Sequence, residues 1–526
     1  TIPAPPKERA APTVSPDQRR VALWFVLAAV PSGLMLSTTT LLTTDIMAMP
    51  LLWVIPLGLY LLSYTLAFSE AGDWADVFTR FAPVLLLSGG SLALISGGQS
   101  NPAVALVMAG LLFVVAVALH RRLYMLRPDP RHLTWFYLVA AAGGAAGGFF
   151  VAILAPLLFD WIYEHAILLL AAALLLPLRP FVERLGQFWR ESPHANLVAA
   201  LTVALAAVLA WVLYRATQDG TGDTILLLVI ALTLIGIALI GRRPAFVAVA
   251  ALLMLGHGGA STISTSLAGD RARSYFGAYA VEAVEGGRMR QLTHGTTIHG
   301  SQWLTPGLRT EPTSYYGRSA GIGAALLHAA PDARVGVVGL GAGTLACYRK
   351  PGQAWTFFEI DERIAEYSDA GIFTFVEDCA PRAAVVIGDA RLKLAAQPTG
   401  VFDVLAIDAF SSDSIPLHLM TSEAFATYRR SLQADGLLLV HISNRFVDLA
   451  PMVAAQAEAA GWHGRVRVDR DGLAPGLKAS SWVALARDEA RLIELERKSR
   501  LAWTSLPAPA RQAWTDDNAS ILPLLR

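Results

Sequence analysis

The sequence predicts a multi-span α-helical membrane domain followed by an α/β domain, with a small β-rich piece between them. The chain of 526 residues is 54% hydrophobic and only 16% charged, whereas soluble domains carry about 25% charged residues. This scarcity of charge is confined to residues 21–268. From residue 269 onward, apolar strands alternate with helical segments, which is typical of a parallel sheet covered by helices.

The membrane prediction rests on a series of apolar segments, each close to the ~20 residues that a spanning helix needs. A multi-pass location in the cell inner membrane follows, with the lipid bilayer as partner. The first 20 residues are polar and rich in proline, and we interpret them as a disordered leader. The eight or nine candidate spans are 21–44, 50–68, 80–97, 102–120, 133–157, 161–178, 195–214, 224–241 and 244–262.

Charge and cysteine content exclude several classes of protein. The net charge is +1, so the chain has no overall field to attract nucleic acid. Cys347 and Cys379 are the two cysteines, and their setting resembles neither a disulfide framework nor a zinc site. We therefore expect two buried thiols and no bound metal.

Residues 269–318 form the β-rich piece, and residues 319–526 predict a Rossmann-like domain. Its first strand is followed by glycines at alternate positions, Gly339, Gly341 and Gly343. Glycine at such a turn lets the backbone approach a ligand closely. The next strand ends in Glu359, about 20 residues further on, where a carboxylate can accept hydrogen bonds from ribose hydroxyls. This spacing fits either a dinucleotide or an adenosyl ligand.

Two more carboxylates stand at strand ends. Asp389 follows the third strand, and Asp408 ends the fourth. Because ligands of open α/β sheets lie at the carboxyl ends of the strands, we expect Glu359, Asp389 and Asp408 to converge on one crevice. Asp389 also suits a helix N-cap. Asn444 follows the fifth strand at the same edge and is a candidate substrate-binding residue.

Four segments of this sheet resemble the spermidine synthase family, which has a class I methyltransferase-like fold: GLGAGT, FEID, GDAR and FDVLAIDAF. The upstream segments RSYFGAYAVEA, LTHGTTIHGSQ and PTSYYG resemble that family's β-rich N-terminal piece. The similarity covers about residues 269–525. Together with PLLWVIPLGLYLLSYTLAF (50–68) and the ending TDDNASILPLL, the chain resembles the membrane-fused spermidine synthase-like proteins of bacteria.

The resemblance implies that the substrate is S-adenosylmethionine or its decarboxylated form, without a metal. The enzyme would be a transferase that moves an aminopropyl group to a small-molecule amine and releases methylthioadenosine, and a homodimer is implied by analogy. By this resemblance, the three glycines would line the methionine-derived part of the nucleoside, Glu359 would bind the ribose and Asp389 would contact the adenine. Asp408 would be the catalytic base. Gln302 would reach the aminoalkyl chain, and Tyr315 and Tyr316 would contact the substrate.

Two departures from the family pattern affect the acceptor side. The second acid of the active-site loop, Asp413, lies five residues after Asp408 instead of three. His299 stands where the family has an acid, and we interpret it as a pocket residue. Asp413 remains a candidate for holding the amine. Fewer acids weaken the capture of a polycation, so the amine specificity stays open.

Three other functions are compatible with the same sequence. The fold and ligand fit a methyltransferase, or a lyase that breaks S-adenosylmethionine without an external nucleophile. A non-enzyme alternative is a transporter or sensor that the nucleoside gates through the soluble half.

The side of the membrane is not settled by counting spans. Basic loops at 120–132, 178–190 and 241–243 should face the cytoplasm. A ninth full span would put the soluble half outside, where S-adenosylmethionine is scarce. For that reason we expect a cytoplasmic catalytic domain.

Overall fold

The computed structural model describes residues 17–46, 52–70, 72–94, 102–409, 416–470 and 474–526. Most of the predicted leader and the candidate Asp413 lie outside these ranges. The described chain is helical through Leu267, and its first strand begins at Arg271. Helical and sheet-containing halves therefore meet at residues 268–270, where the composition changes.

The helical half consists of apolar helices joined by short turns. Within the described ranges, five helical stretches are long and apolar enough to cross a membrane: 18–43, 102–125, 130–158, 195–219 and 243–267. Shorter apolar helices occupy 54–67, 163–175 and 222–238. The α-helices are α1 (Gln18–Thr40), α2 (Val54–Ala67), α3 (Asp73–Gly90), α4 (Pro102–Met125), α5 (Leu133–Phe149), α6 (Ala155–Leu158), α7 (Tyr163–Leu175), α8 (Glu183–Glu191), α9 (Ala195–Asp219), α10 (Gly222–Ala238), α11 (Arg243–Met254) and α12 (Ala260–Leu267).

Small residues bring two of these helices into close contact. Gly143 and Gly147 of α5 lie against the backbone of α1, where an added β-carbon would touch the carbonyl oxygens of Phe25 and Ala29. Such close crossings are typical of helix packing in lipid. Helices that are already surrounded by lipid gain little hydrophobic free energy by associating, so close van der Waals contact between their backbones holds them together. The glycine-rich segment at 140–148 therefore packs helix on helix.

A small antiparallel sheet follows the last of these helices. Its strands are β1 (Arg271–Arg273), β2 (Ala278–Val284), β3 (Met289–His294) and β4 (Thr297–Trp303), in the order β1-β2-β3-β4. It is the β-rich piece that the sequence predicts.

The larger sheet has eight strands in the order β12-β10-β11-β9-β8-β5-β6-β7. The five strands from β7 to β9 are parallel, and β11 runs antiparallel between β9 and β10. The strands are β5 (Arg334–Val338), β6 (Ala354–Glu359), β7 (Ala384–Ile387), β8 (Phe402–Ile407), β9 (Leu432–His441), β10 (His463–Asp469), β11 (Ser480–Ala486) and β12 (Thr504–Ser505).

Helices pack on both faces of this sheet, which gives the predicted Rossmann-like fold. Val337 belongs to the apolar core on one face, and its neighbour Val338 belongs to the core on the other. A strand buried on both faces needs a continuous apolar run, as β5 has. The helices are α13 (Gly321–Leu327), α14 (Glu362–Asp369), α15 (Phe375–Cys379), α16 (Ala390–Ala395), α17 (Ser422–Ser431), α18 (Ala450–Ala460) and α19 (Glu489–Ser499).

The prediction of two buried thiols is wrong, because Cys347 and Cys379 form a disulfide. Their Cα atoms lie 4.8 Å apart although 32 residues separate them in sequence. Cys347 lies in the 3₁₀ turn Thr344–Tyr348, and that turn packs beside α15, which ends at Cys379. The contact between the two elements is a product of the fold and leaves no mark in the cysteine spacing.

The two halves are joined by a buried ion pair. The guanidinium of Arg273 in β1 binds both carboxylate oxygens of Glu164 in α7, each at 2.8 Å, and both side chains are almost fully buried. Beside it, the guanidinium of Arg271 lies 3.9 Å from the ring centroid of Trp161. The sheet half is therefore docked on Trp161, which precedes α7, and on the first turn of α7.

Candidate active site

A cavity of about 640 Å³ opens at the carboxyl edge of the parallel strands. Drug-sized ligands occupy cavities of about 300–1,000 Å³. Nine of the twelve predicted site residues line it: Gly339, Gly341, Glu359, Asp389, Asp408, His299, Tyr315, Tyr316 and Asn444. Residues at the ends of five parallel strands and residues of the β-rich piece therefore lie together at the edge where open α/β sheets bind ligands.

The glycine turn after β5 packs tightly against its neighbours. Gly339 has a positive φ of 98°, and an added β-carbon would touch the carbonyl oxygen of Asp408. Gly341, with φ at 54°, is equally close to the carbonyl oxygen of His299. The turn thus needs glycine for both its conformation and its contacts. Gly343 packs against Val376 and is not part of the cavity wall.

Glu359 is held in place by the backbone around it. Its two carboxylate oxygens accept hydrogen bonds from the N–H groups of Leu340, at 2.9 Å, and Asp361, at 3.0 Å. Burial raises the pKa of Glu359, and these two donors oppose that shift. Each carboxylate oxygen has a second lone pair, so the side chain can still accept hydrogen bonds from two hydroxyls of a ligand.

Asp389 performs the structural function that its position predicts. One oxygen accepts a hydrogen bond from the N–H of Leu392 at 2.9 Å, which caps α16. The other lies 3.4 Å from Nε2 of His418. The side chain lines the cavity at the tip of β7, next to the Glu359 strand.

Asp408 is the centre of a buried hydrogen-bond network. One oxygen accepts a hydrogen bond from the Tyr316 hydroxyl at 2.6 Å, and the other lies 2.7 Å from Nδ1 of His441. Burial, followed by the charge of Asp408, raises the pKa of Tyr316 well above its ordinary value, so the phenol stays a donor. The carboxylate is therefore fixed from two sides.

His441 is a site residue that the sequence analysis did not identify. Its Nε2 lies 2.8 Å from Oγ of Ser443, and that oxygen accepts a hydrogen bond from the N–H of Ser481. The Ser443 proton is thus available to Nε2, which leaves the His441 proton on Nδ1, facing Asp408. The signal was a histidine that ends an apolar strand beside the strand of Asp408.

Aromatic rings fix the orientation of this imidazole. The ring of Trp482 is stacked on His441, with centroids 4.5 Å apart and planes 12° apart. Tyr315 covers it at 4.9 Å, and the Tyr315 hydroxyl donates to the carbonyl of Ile298. Both tyrosines predicted to contact substrate therefore line the cavity and also support the Asp408 network.

His299 brings a neutral imidazole to the cavity wall. Burial lowers its pKa from 6.5 to about 3, and the nearby His294 acts in the same direction. Nε2 of His299 is buried and has no hydrogen-bond partner within the part of the chain that the structure describes. It is a polar atom that a bound ligand can satisfy.

Two predicted residues have other contacts. Gln302 is buried away from the cavity. Its side-chain oxygen accepts a hydrogen bond from the backbone N–H of Thr374, and its side-chain nitrogen donates to the Thr374 hydroxyl and to the carbonyl of Arg309. Asn444 lines the cavity, but its side-chain oxygen accepts the N–H groups of Phe446 and Val447. Both amides stabilise the walls of the site.

The charges around the cavity are divided between the two halves of the sheet. The carboxylates of Glu359, Asp389 and Asp408 lie at the ends of β6, β7 and β8. Basic side chains line the cavity at the ends of β9 and β10 and before β11: Arg445, Arg470, Lys478 and, from the C-terminal segment, Arg526. Among the described residues that line the cavity, Asp408 is the carboxylate nearest this second half in strand order.

Sheet order defines residues 319–526 as a Rossmann-like domain, with a cavity at the carboxyl ends of its parallel strands. No protein-family model matches the chain, and no curated protein matches it. Among solved structures, a probable spermidine synthase from Corynebacterium glutamicum is 19% identical and covers 48% of this chain and 96% of its own, with a TM-score of 0.38.

Two further solved structures are similar to this chain at comparable identity and coverage of this chain. The spermidine synthase of Thermotoga maritima is 16% identical, with a TM-score of 0.34, and covers 45% of this chain and 79% of its own. A spermidine synthase in complex with the transition-state analogue AdoDATO is 15% identical, with a TM-score of 0.33, and covers 43% and 74%. These three structural neighbours are spermidine synthases, and at this identity the likeness extends to the fold alone.

Proposed function

We propose that this chain is a membrane-anchored transferase that binds decarboxylated S-adenosylmethionine and passes its aminopropyl group to an amine. If S-adenosylmethionine itself is the donor, the group passed is 3-amino-3-carboxypropyl. The observation that carries the proposal is the Asp408 carboxylate, fixed by Tyr316 and His441 at the cavity edge of the sheet. In the proposed pose, Glu359 holds the ribose, Asp389 faces the adenine, and the glycine turn carries the sulfonium chain toward Asp408.

The proposed chemistry is an in-line displacement at carbon. Asp408 accepts a proton from the protonated amine, which frees the nitrogen lone pair. The nitrogen forms a bond to the carbon next to the sulfonium, and the carbon–sulfur bond breaks with its electron pair going to sulfur. Methylthioadenosine leaves as a neutral thioether. Alignment of the amine and that carbon supplies much of the acceleration.

The proposed membrane location is supported by the five helical stretches that are long and apolar enough to cross a bilayer. Exposed apolar side chains of these helices, such as Leu106, Leu201 and Trp211, suit a lipid environment. The helical half would then anchor the catalytic half through the Arg273–Glu164 ion pair.

The test uses the full chain in detergent with each nucleoside and with 1,4-diaminobutane. With decarboxylated S-adenosylmethionine, mass analysis should find methylthioadenosine together with an amine extended by one aminopropyl group. With S-adenosylmethionine itself, the added group would be 3-amino-3-carboxypropyl. S-adenosylhomocysteine would indicate a methyltransferase, and methylthioadenosine with a lactone would indicate a lyase. Asp408→Asn should lower turnover, whereas the exposed Asp435→Asn should not. Equal turnover of Asp408→Asn and the unchanged chain would overturn the assignment of the base.

A further inference from the structure

Among the described residues, the acceptor end of the cavity is lined by basic side chains and by no carboxylate beyond Asp408. In the proposed pose the nucleoside lies over β5, β6 and β7, so the acceptor approaches from the β9–β11 side of Asp408. Four basic side chains line that side, and His299 adds an imidazole to the cavity wall. A second ammonium group would be repelled there, and an anionic group would be attracted.

We propose that the acceptor is an amine that also carries an anionic group, such as a carboxylate or phosphate, bound by Arg470 and Lys478. This inference rests on the proposed function and names its substrate class. Arg470 follows β10, and Lys478 precedes β11, so both flank the cavity on the side away from the nucleoside. The amine end lies at Asp408 and the anionic end at this basic rim.

A matched pair of acceptors tests the charge. The amine 4-aminobutanoate and the diamine 1,4-diaminobutane have similar lengths and differ in the charge at the far end. We expect a higher kcat/KM for 4-aminobutanoate. The double variant Arg470→Gln/Lys478→Gln should lower that value about tenfold and leave kcat/KM for uncharged-tail butylamine unchanged. The exposed Arg382→Gln, outside the cavity, is the control.

Three outcomes overturn the inference. One is a preference of the unchanged chain for the diamine, and another is an equal effect of the double variant on butylamine. The third is an effect that appears with intact S-adenosylmethionine but not with its decarboxylated form, which would assign the anion to the donor. Absence of methylthioadenosine with every acceptor contradicts the proposed function itself, and calorimetric binding of 4-aminobutanoate then decides the charge preference separately.

An independent set of observations concerns the side of the membrane. Twelve of the thirteen arginines between residues 17 and 268 lie at one end of the helical bundle, and Arg215 is the exception. At this end Arg20 donates to the carbonyl of Leu126, and Arg122 and Arg243 donate to carbonyls at the end of α7. The twelve are Arg19, Arg20, Arg80, Arg121, Arg122, Arg127, Arg131, Arg179, Arg184, Arg190, Arg242 and Arg243.

The catalytic half is attached at the other end. The helical stretch 243–267 begins at the basic end and runs directly into the sheet half. At its far end, the Tyr163 hydroxyl lies 2.7 Å from Oγ of Ser266, and the Arg273–Glu164 ion pair joins the two halves nearby. The catalytic half and the basic loops are thus separated by the length of a spanning helix.

The disulfide fits the same orientation. Arginine-rich loops remain in the cytoplasm, where thiols are kept reduced, whereas disulfides form and persist outside it. We infer that the catalytic half faces the extracytoplasmic side of the membrane, with Cys347 and Cys379 oxidised. This location, which rests on the proposed membrane anchoring, is opposite to the cytoplasmic one expected from the sequence, and it requires the nucleoside to be supplied on the extracytoplasmic side.

Labelling of spheroplasts tests the orientation without requiring activity. A membrane-impermeant maleimide should label a cysteine at the exposed Thr310 of the catalytic half (Thr310→Cys) and should not label one at the exposed Gln187 of α8 (Gln187→Cys). The reverse pattern overturns the inference.

The disulfide gives a second measurement on the unchanged chain. Thiols are alkylated in intact cells before lysis, and the protein is digested without reduction. A linked peptide pair containing Cys347 and Cys379 is expected, and alkylation of both cysteines would overturn the inference. If the chain proves to be inactive, both measurements remain valid, so a failure of the proposed function is distinguishable from a failure of the orientation.

Discussion

Asp408 and His441 lie 2.7 Å apart because their strands are in parallel register. Ile407 pairs with Val440, so the next residue on each strand stands at the same level of the sheet edge. The imidazole is stacked on Trp482 and its second nitrogen is near Ser443. The carboxylate that we assign as base is thus oriented by a group that is itself fixed on every side.

Removal of the imidazole should affect catalysis more than binding. In His441→Leu, one oxygen of Asp408 loses its donor and the carboxylate can rotate, so we expect kcat to fall about tenfold to a hundredfold. His441→Gln keeps an N–H donor and should recover part of the loss. Steady-state kinetics and calorimetric titration of the nucleoside provide the measurements. If nucleoside affinity falls in parallel with kcat, His441 supports the pocket as a whole and does not position Asp408.

Gly339→Ala should abolish nucleoside binding through a steric contact. The added β-carbon would touch the carbonyl oxygen of Asp408, so the turn or the end of β8 must shift. Gly371→Ala is the matched control, because Gly371 also has a positive φ, 68°, but has no atom within 4 Å of the added carbon. The control should lose only about 1–2 kcal/mol of stability through backbone strain. Equal nucleoside affinity in the two variants would contradict the contact.

The parallel-sheet rule predicts much of this site from sequence. The rule requires only that three strands end at Glu359, Asp389 and Asp408. The alternation of apolar strands and helices in the sequence predicts these strand ends. Gln302 could not be placed in the same way, because its partner Thr374 lies 72 residues further along the chain. The disulfide and the Asp408–His441 pair likewise depend on contacts between distant segments, which no local pattern encodes.

Acidification should destabilise the catalytic half through two buried histidines. Burial lowers the pKa of His299 to about 3 and that of His294 to about 4, both from 6.5. As pH falls below 6.5, the unfolded chain takes up these protons and the folded chain does not, so stability present above pH 6.5 is lost toward pH 3–4. The loss at pH 5.5 is about 1.4 kcal/mol for each histidine.

Thermal unfolding of the full chain in detergent, measured from pH 7.5 to pH 5.5, checks this dependence. His299→Gln should remove its own share of the acid-induced loss, about 1.4 kcal/mol at pH 5.5. His463→Gln at an exposed position is the control and should leave it unchanged. An acid sensitivity of His299→Gln equal to that of the unchanged chain would mean that other groups cause the effect.

The buried pair between Arg273 and Glu164 provides the last prediction. Both carboxylate oxygens of Glu164 are bound at 2.8 Å, and the side chain has no exposed surface. Arg273→Met leaves that charge without a partner, which costs about 3–5 kcal/mol for a buried pair. We therefore expect the catalytic half to detach from the helical half, and limited proteolysis at residues 268–270 should become faster.

The double variant Glu164→Leu/Arg273→Met separates charge from packing. It removes both charges and keeps apolar volume, and such replacements are often neutral or stabilising, so protease resistance should return. Arg288→Met breaks an exposed pair with Glu285, whose charged atoms are 3.9 Å apart, and should have little effect. Should the double variant be cleaved as rapidly as Arg273→Met, the docking would depend on the shape of the arginine side chain and not on compensation of the buried carboxylate.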